Sequence, residues 1–254
     1  MMDGFSIITW SLLQIGAIFV LAGAVKGVIG LGLPTVAVGL LGTVMTPLQA
    51  AALVIVPSFV TNVWQLLAGP AFLALARRLW LLQVGLCVGT LAGGWLVPVD
   101  NSGRARIALG IALLCYAAVG LMAPKLAVPR RAEWWLSPLF GLMTGFVTAM
   151  TGVFVVPMVP YIQALGLQRD HLVQALGLSF TVATIALAVV LIGNGELRVS
   201  LAGPSVYALA VSLVGMALGQ MVRKRIDPKT FRLCFFIGLM LLGVHLALGS
   251  LLKL

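Results

Sequence analysis

The stretch "AVKGVIGLGLPTVAVGLL" (residues 24–41) decides how this chain is read. It sets Lys26, Gly27, Gly30, Gly32 and Pro34 inside sequence that is otherwise apolar enough to cross a bilayer. In hydrocarbon every backbone polar group needs a partner, so a Gly/Pro break is tolerated only where it faces protein or a polar cavity. Proline suits the first turn of a helix, where its missing N–H would be unpaired anyway. The spacing therefore predicts a helix start near Pro34 with an unwound glycine segment before it. The second half carries a counterpart, in which Thr151 and Gly152 precede "VFVVPMVPY" with Pro157 and Pro160. Two helix starts facing each other would present free N–H groups and positive dipole ends, which together suit an anion.

The expected central site is Lys26, Gly27, Gly30, Gly32 and Pro34 from one half, with Thr151, Gly152 and Pro157 from the other. Lys26 adds a full positive charge, and Thr148 takes its place in the second half. Asn62 and Gln65, three residues apart on one helix face, and Tyr161 are further candidate ligands or gates. Competing readings stay open at each position. Lys26 also fits a residue snorkelling to cytoplasmic headgroups. The spacings Gly23–Gly27 and Gly141–Gly145 also fit close helix packing, and buried hydroxyls and amides also fit interhelical hydrogen bonding.

Working outward, 61% of the 254 residues are hydrophobic and 9% charged. A soluble domain is nearer half apolar and a quarter charged. The chain reads as an all-α polytopic membrane protein with almost no extramembrane mass. Its start lacks a basic n-region and a small-residue cleavage site, so the first apolar run is expected to be a retained span. Apolar runs fall at 5–25, 28–45, 48–69, 79–98, 106–123, 134–150, 152–167, 172–192, 201–220 and 231–252. No loop separates them near 27 and 151, so ten spans compete with eight.

Charge discriminates. With ten spans and the N-terminus outside, Lys26, Arg77, Arg78, Lys125, Arg130, Arg131, Arg169, Arg223, Lys224, Arg225, Lys229 and Arg232 fall inside. Arg104, Arg106, Arg198 and Lys253 fall outside, with Asp100 the acid nearest the first two. Eight spans leave 7 inside, 8 outside and Lys26 in the membrane. The positive-inside bias prefers ten, and it also accounts for the net charge of +10 without nucleic acid. Both termini are then periplasmic.

An offset of 122 aligns "AGAVKGVIGLG" (22–32) with "TGFVTAMTGVF" (144–154), matching Gly23 to Gly145, Gly30 to Gly152 and Lys26 to Thr148. It also pairs Ser58, Thr61 and Asn62 with Phe180, Ala183 and Thr184. Five segments per half is an odd number, so the second half enters the membrane inverted, a common build for secondary transporters. The expected organisation is an N-terminal membrane repeat (1–124), a cytoplasmic linker (125–133) and a C-terminal inverted repeat (134–254).

"AGAVKGVIGLGLPTVAVGLLGTVMTPLQAAALVIVPSFVTNVWQLL" and "GLMTGFVTAMTGVFVVPMVPYIQALGLQRDHLVQALGLSF" resemble the two halves of the TauE/SafE family of sulfite-exporter-like permeases. "TNVWQ" (61–65) and "VVPMVPYIQALGL" (155–167) strengthen the resemblance, which covers nearly the whole chain. It implies a permease of the bacterial cell inner membrane that moves sulfite or organosulfonates, mostly outward. The family's tighter GxGGG core is "GLGLP" here and "GVFVV" in the second half.

The six acids all fall in loops or at span ends, and His245 is the one ionisable histidine within a span, expected to be packed. A proton-driven carrier usually places a carboxylate or histidine inside the membrane. Electrogenic uniport of a small oxyanion by alternating access is therefore the expectation, with sodium coupling left open. HExxH, GxSxG and P-loop motifs are absent from the sequence, and Cys87, Cys115 and Cys234 form no CxxC pair. No enzyme activity, cofactor or metal site is expected. The expected partners are a small sulfur-containing anion and membrane lipid, with a homodimer left open. The alternative reading is a non-transporting membrane assembly or scaffold subunit.

Overall fold

A computed structural model describes residues 3–96, 103–122, 127–223 and 225–251, with side chains from Leu12 onward except those of Pro228 and Leu251. Asp100, Lys125, Lys224, Lys253 and the expected placement of the very termini lie outside the described residues. The described chain holds ten α-helices and no strand. They are α1 (Asp3–Ile29), α2 (Leu33–Leu41), α3 (Pro47–Leu67), α4 (Phe72–Leu96) and α5 (Arg104–Met122). After a 3-10 turn at Arg130–Ala132 come α6 (Glu133–Thr151), α7 (Met158–Ala164), α8 (Arg169–Gly193), α9 (Ala202–Arg223) and α10 (Pro228–Leu251).

Each apolar run in the sequence becomes one helix, but not each helix can cross a bilayer. Seven helices are long and apolar enough among the described residues. At 1.5 Å per residue, α2 and α7 span only about 14 and about 11 Å of a hydrocarbon core about 30 Å thick. The ten expected segments thus appear as ten helices of unequal length, of which these two are short and each follows a break. α6 has 19 residues, and its polar first turns, with Glu133, Ser137 and Pro138, leave it outside the seven.

The exterior is apolar. Trp95, Val199, Trp64, Leu67, Leu73 and Leu241 all stand well exposed, as lipid-facing side chains would. With lipid outside, helix association relies on close packing rather than on hiding apolar surface from water. The glycines supply it. α1 lies against α9, where a Cβ at Gly23 would sit 2.2 Å from the Ser212 carbonyl and one at Gly215 2.1 Å from the Val20 carbonyl. α4 lies against α6 in the same way, with Gly89 on the Leu142 carbonyl and Gly145 on the Leu86 carbonyl. Gly23 and Gly145, aligned by the 122-residue offset, thus make equivalent contacts on different partners. α3 crosses α8, and α5 packs along α10.

Local sequence sets the ends. α1 stops at Ile29 because Gly30 and Gly32 take φ of +84° and +104°, which only glycine adopts readily. Gly32 then caps α2, with Pro34 in its first turn, as the spacing predicted. Gly152, at φ +73°, ends α6 in the same manner, and Pro157 caps α7. α3 opens with a capping box, Thr46 and Gln49 bonding each other's backbone N–H around Pro47.

Contacts between connections sort the helix ends into two groups. Arg106 Nη2 donates to the Met45 carbonyl, 3.3 Å away. At the opposite end the Arg78 guanidinium pairs with the Glu133 carboxylate at 2.6 and 2.9 Å and reaches the Leu165 carbonyl at 3.2 Å. There also Arg232 Nη2 donates to the Gly120 carbonyl at 3.2 Å.

Candidate functional site

α1 delivers Lys26 to the interior one turn before its break. The side chain is 5% exposed, so the lysine does not snorkel to the surface. Its ammonium donates to Thr61 Oγ1 at 2.9 Å and to Asn62 Oδ1, both on α3. The Asn62 amide donates onward to Thr184 Oγ1 on α8, at 3.5 Å. Thr61 and Thr184 each return their own hydroxyl hydrogen to a carbonyl one turn back, Pro57 and Phe180, at 2.7 Å. Both hydroxyl oxygens are therefore oriented to accept. Asn62 and Thr184 are partners under the 122-residue offset, so the junction of α3 and α8 joins two positions that the offset aligns.

The surroundings are unusual for a buried lysine. An ionised lysine at bilayer depth costs several kcal/mol unless it is partnered. Lys26 has only neutral oxygens around it, and no carboxylate pairs with it among the described residues. Its Nζ makes two hydrogen bonds. Ser58 Oγ, on α3, and Thr35 Oγ1, on α2, are buried without a partner. A buried amine donor with neutral partners and no acid beside it among the described residues is an arrangement an anion could complete by holding the lysine in its charged form.

The other expected residues are distributed unevenly. Gly30, Gly32 and Pro34 form the α1–α2 break that follows Lys26. Gly27 belongs to helix packing, since a Cβ there would meet the Met216 carbonyl at 2.3 Å. Thr148, in the place of Lys26, is fully buried and bonds its own helix at Thr144, 2.7 Å away. Thr151 receives the Val153 N–H at 3.2 Å, and Gly152 packs on Ala51. Gln65 donates to the Val173 carbonyl at 2.8 Å. Tyr161 shares a 2.7 Å hydrogen bond with Ser137 and stacks on Phe140. Gln65 and Tyr161 thus stand in interhelical contacts rather than beside Lys26. His245 is exposed on α10 instead of packed. Thr184 was legible only as the repeat partner of Asn62, and Ser58 and Thr35 only as two polar residues among many.

The fold and this centre define a multi-pass helical membrane protein with a buried lysine that has no acidic partner among the described residues. The chain belongs to the sulfite exporter TauE/SafE family, which matches residues 15–246. It is thereby a member of a transporter family, as the resemblance implied. No curated protein and no solved structure matches the chain significantly.

Proposed function

We propose that this protein is a permease of the bacterial inner membrane that exports small sulfur-containing anions, sulfite or organosulfonates, by alternating access. The observation that carries the reading is Lys26: a buried lysine held by Thr61 and Asn62, with no acidic partner among the described residues. Family membership supplies the substrate class, and the charge supplies its sign.

The helix contacts support two inverted five-segment halves. If Arg106–Met45 marks one end of the bundle and Arg78–Glu133 the other, the chain changes ends at every segment from α1 to α10, with α2 and α7 and their flanking residues making the short returns. The α1–α9 and α4–α6 pairings exchange under the 122-residue offset. The end bearing Arg77, Arg78, Arg130, Arg131, Arg169, Arg223 and Arg232 is then cytoplasmic by positive-inside, with both termini outside.

Lys26 supplies the anion's counter-charge, and the membrane potential supplies the drive. An anion leaving a negative interior gains about 2.3 kcal/mol per charge per 100 mV, so no proton relay is required.

Isotope flux tests this. Proteoliposomes loaded with radiolabelled sulfite should lose it faster when an imposed potassium gradient makes the interior negative, and sulfoacetate outside should compete better than chloride. Efflux identical to empty liposomes under both polarities would remove the reading and favour a non-transporting scaffold.

A further inference from the structure

A second basic feature lies one turn from Lys26. Gly30, whose N–H bonds the Lys26 carbonyl at 2.7 Å, lines a cavity of about 550 Å³ at the arginine-rich end of the bundle. A Cβ on Gly30 would meet nothing within 4 Å, so the α1 break opens onto free space. Three arginines from three helices line the same cavity: Arg169 in the first turn of α8, Arg223 in the last turn of α9 and Arg232 in the second turn of α10. Tyr116 and Phe236 form an apolar part of the wall.

All three arginines are exposed at this end of the bundle. Among the described residues neither Arg169 nor Arg223 has an ion-pair partner. Arg232 is fixed by its bond to the Gly120 carbonyl and by its place over the Phe236 ring, 5.6 Å from the centroid, which leaves further N–H groups available. Among the described residues no acid lines the cavity. The nearest acids in sequence are Asp170, exposed beside Arg169, and Asp227, whose carboxylate is occupied by Thr230 and held below the usual carboxylate range by that contact. Positive-inside accounts for basic residues at this end but not for their convergence on one cavity. Guanidinium groups bind the oxygens of sulfonate-, sulfite- or phosphate-type groups through paired N–H donors. A cleft of one sign between low-dielectric walls raises the local concentration of the opposite ion.

We infer that this cavity is a second anion subsite, a vestibule in which Arg169, Arg223 and Arg232 capture a free small oxyanion or sulfonate before it passes the Gly30 break to Lys26. The role in transport rests on the permease reading; the binding does not. Gly30 lies about 6 Å along the helix axis from Lys26, so the two subsites are consecutive.

The test is equilibrium binding of radiolabelled sulfite to purified protein in phosphatidylcholine nanodiscs, in a Lys26→Gln background. Arg169→Gln, Arg223→Gln and Arg232→Gln together should weaken binding at least ten-fold and flatten its dependence on ionic strength. Arg77→Gln, Arg130→Gln and Arg131→Gln together, three exposed arginines that do not line the cavity, should leave it unchanged. Equal effects of the two triple variants, or no sulfite binding before either is made, would overturn the vestibule. Arg169→Gln alone, at an exposed position, should weaken binding at least three-fold and carries the test if the triple variant fails to fold. Arginine dependence that appears only when phosphatidylglycerol is added would assign the cavity to a lipid headgroup and overturn a substrate subsite. Wild-type flux separates the two claims: absent flux with arginine-dependent binding removes the permease reading alone, and normal flux with arginine-independent binding removes the vestibule alone.

Discussion

Lys26 was visible in the sequence as a charge in the wrong place, but its partners were not. Thr61 and Asn62 lie 35 and 36 residues away, on a helix whose position beside α1 no local periodicity encodes. The offset of 122 did connect Asn62 to Thr184, and the two side chains meet. The choice between a snorkelling lysine and an interior one needed the folded chain, because both put it near a span end. Asn62→Leu removes the Oδ1 acceptor while keeping similar bulk. It should lower transport at least three-fold and destabilise the protein by about 1–3 kcal/mol, because the ammonium loses an acceptor in a buried place. Thermal unfolding in detergent and flux measured on the same preparation would check both, and unchanged values for the two would show that Asn62 does not hold the lysine.

At the scale of elements, hydropathy located all ten helices because each apolar run is bounded by charges or by glycine and proline. It could not show that α2 and α7 are short. Run 28–45 is continuous in composition, and only the positive φ of Gly30 and Gly32 and the turn after Leu41 reduce it to nine helical residues. Which glycines pack and which bend was equally hidden, since Gly27 and Gly30 differ by a neighbouring helix that sequence does not reveal. The packing glycines make a sharp prediction. Gly215→Ala puts a methyl 2.1 Å from the Val20 carbonyl, so α1 and α9 must separate. The variant should lose several degrees of melting temperature, whereas Gly238→Ala, with nothing within 4 Å, should melt within about a degree of wild type. Equal melting of the two would contradict the close α1–α9 contact. The Arg78–Glu133 pair is a second element-scale clasp, tying α4 to the start of α6 and, through Leu165, to the end of α7. Glu133→Gln should cost about 1–3 kcal/mol, read from the same melting experiment, because a two-point charge-assisted contact becomes a neutral one.

At the scale of the whole molecule, the proposed inverted arrangement would place opposite ends of α8 in opposite compartments in a fixed sense. In a chain with Cys87, Cys115 and Cys234 replaced by serine, Arg198→Cys should react with a membrane-impermeant maleimide added to intact cells, and Arg169→Cys only after the membrane is opened. Eight spans with the N-terminus inside predict the reverse. The 122-residue alignment sets Lys26 against Thr148, so the proposed halves differ at the centre by an asymmetry of a lysine against a neutral hydroxyl. The most direct test of that asymmetry as the basis of function is the current evoked by sulfite jumps on a solid-supported membrane carrying wild-type, Lys26→Gln or Thr148→Val protein. Sulfite-specific current that falls at least ten-fold in Lys26→Gln and less than three-fold in Thr148→Val is the predicted result. Full current in Lys26→Gln would contradict a permease built around that lysine.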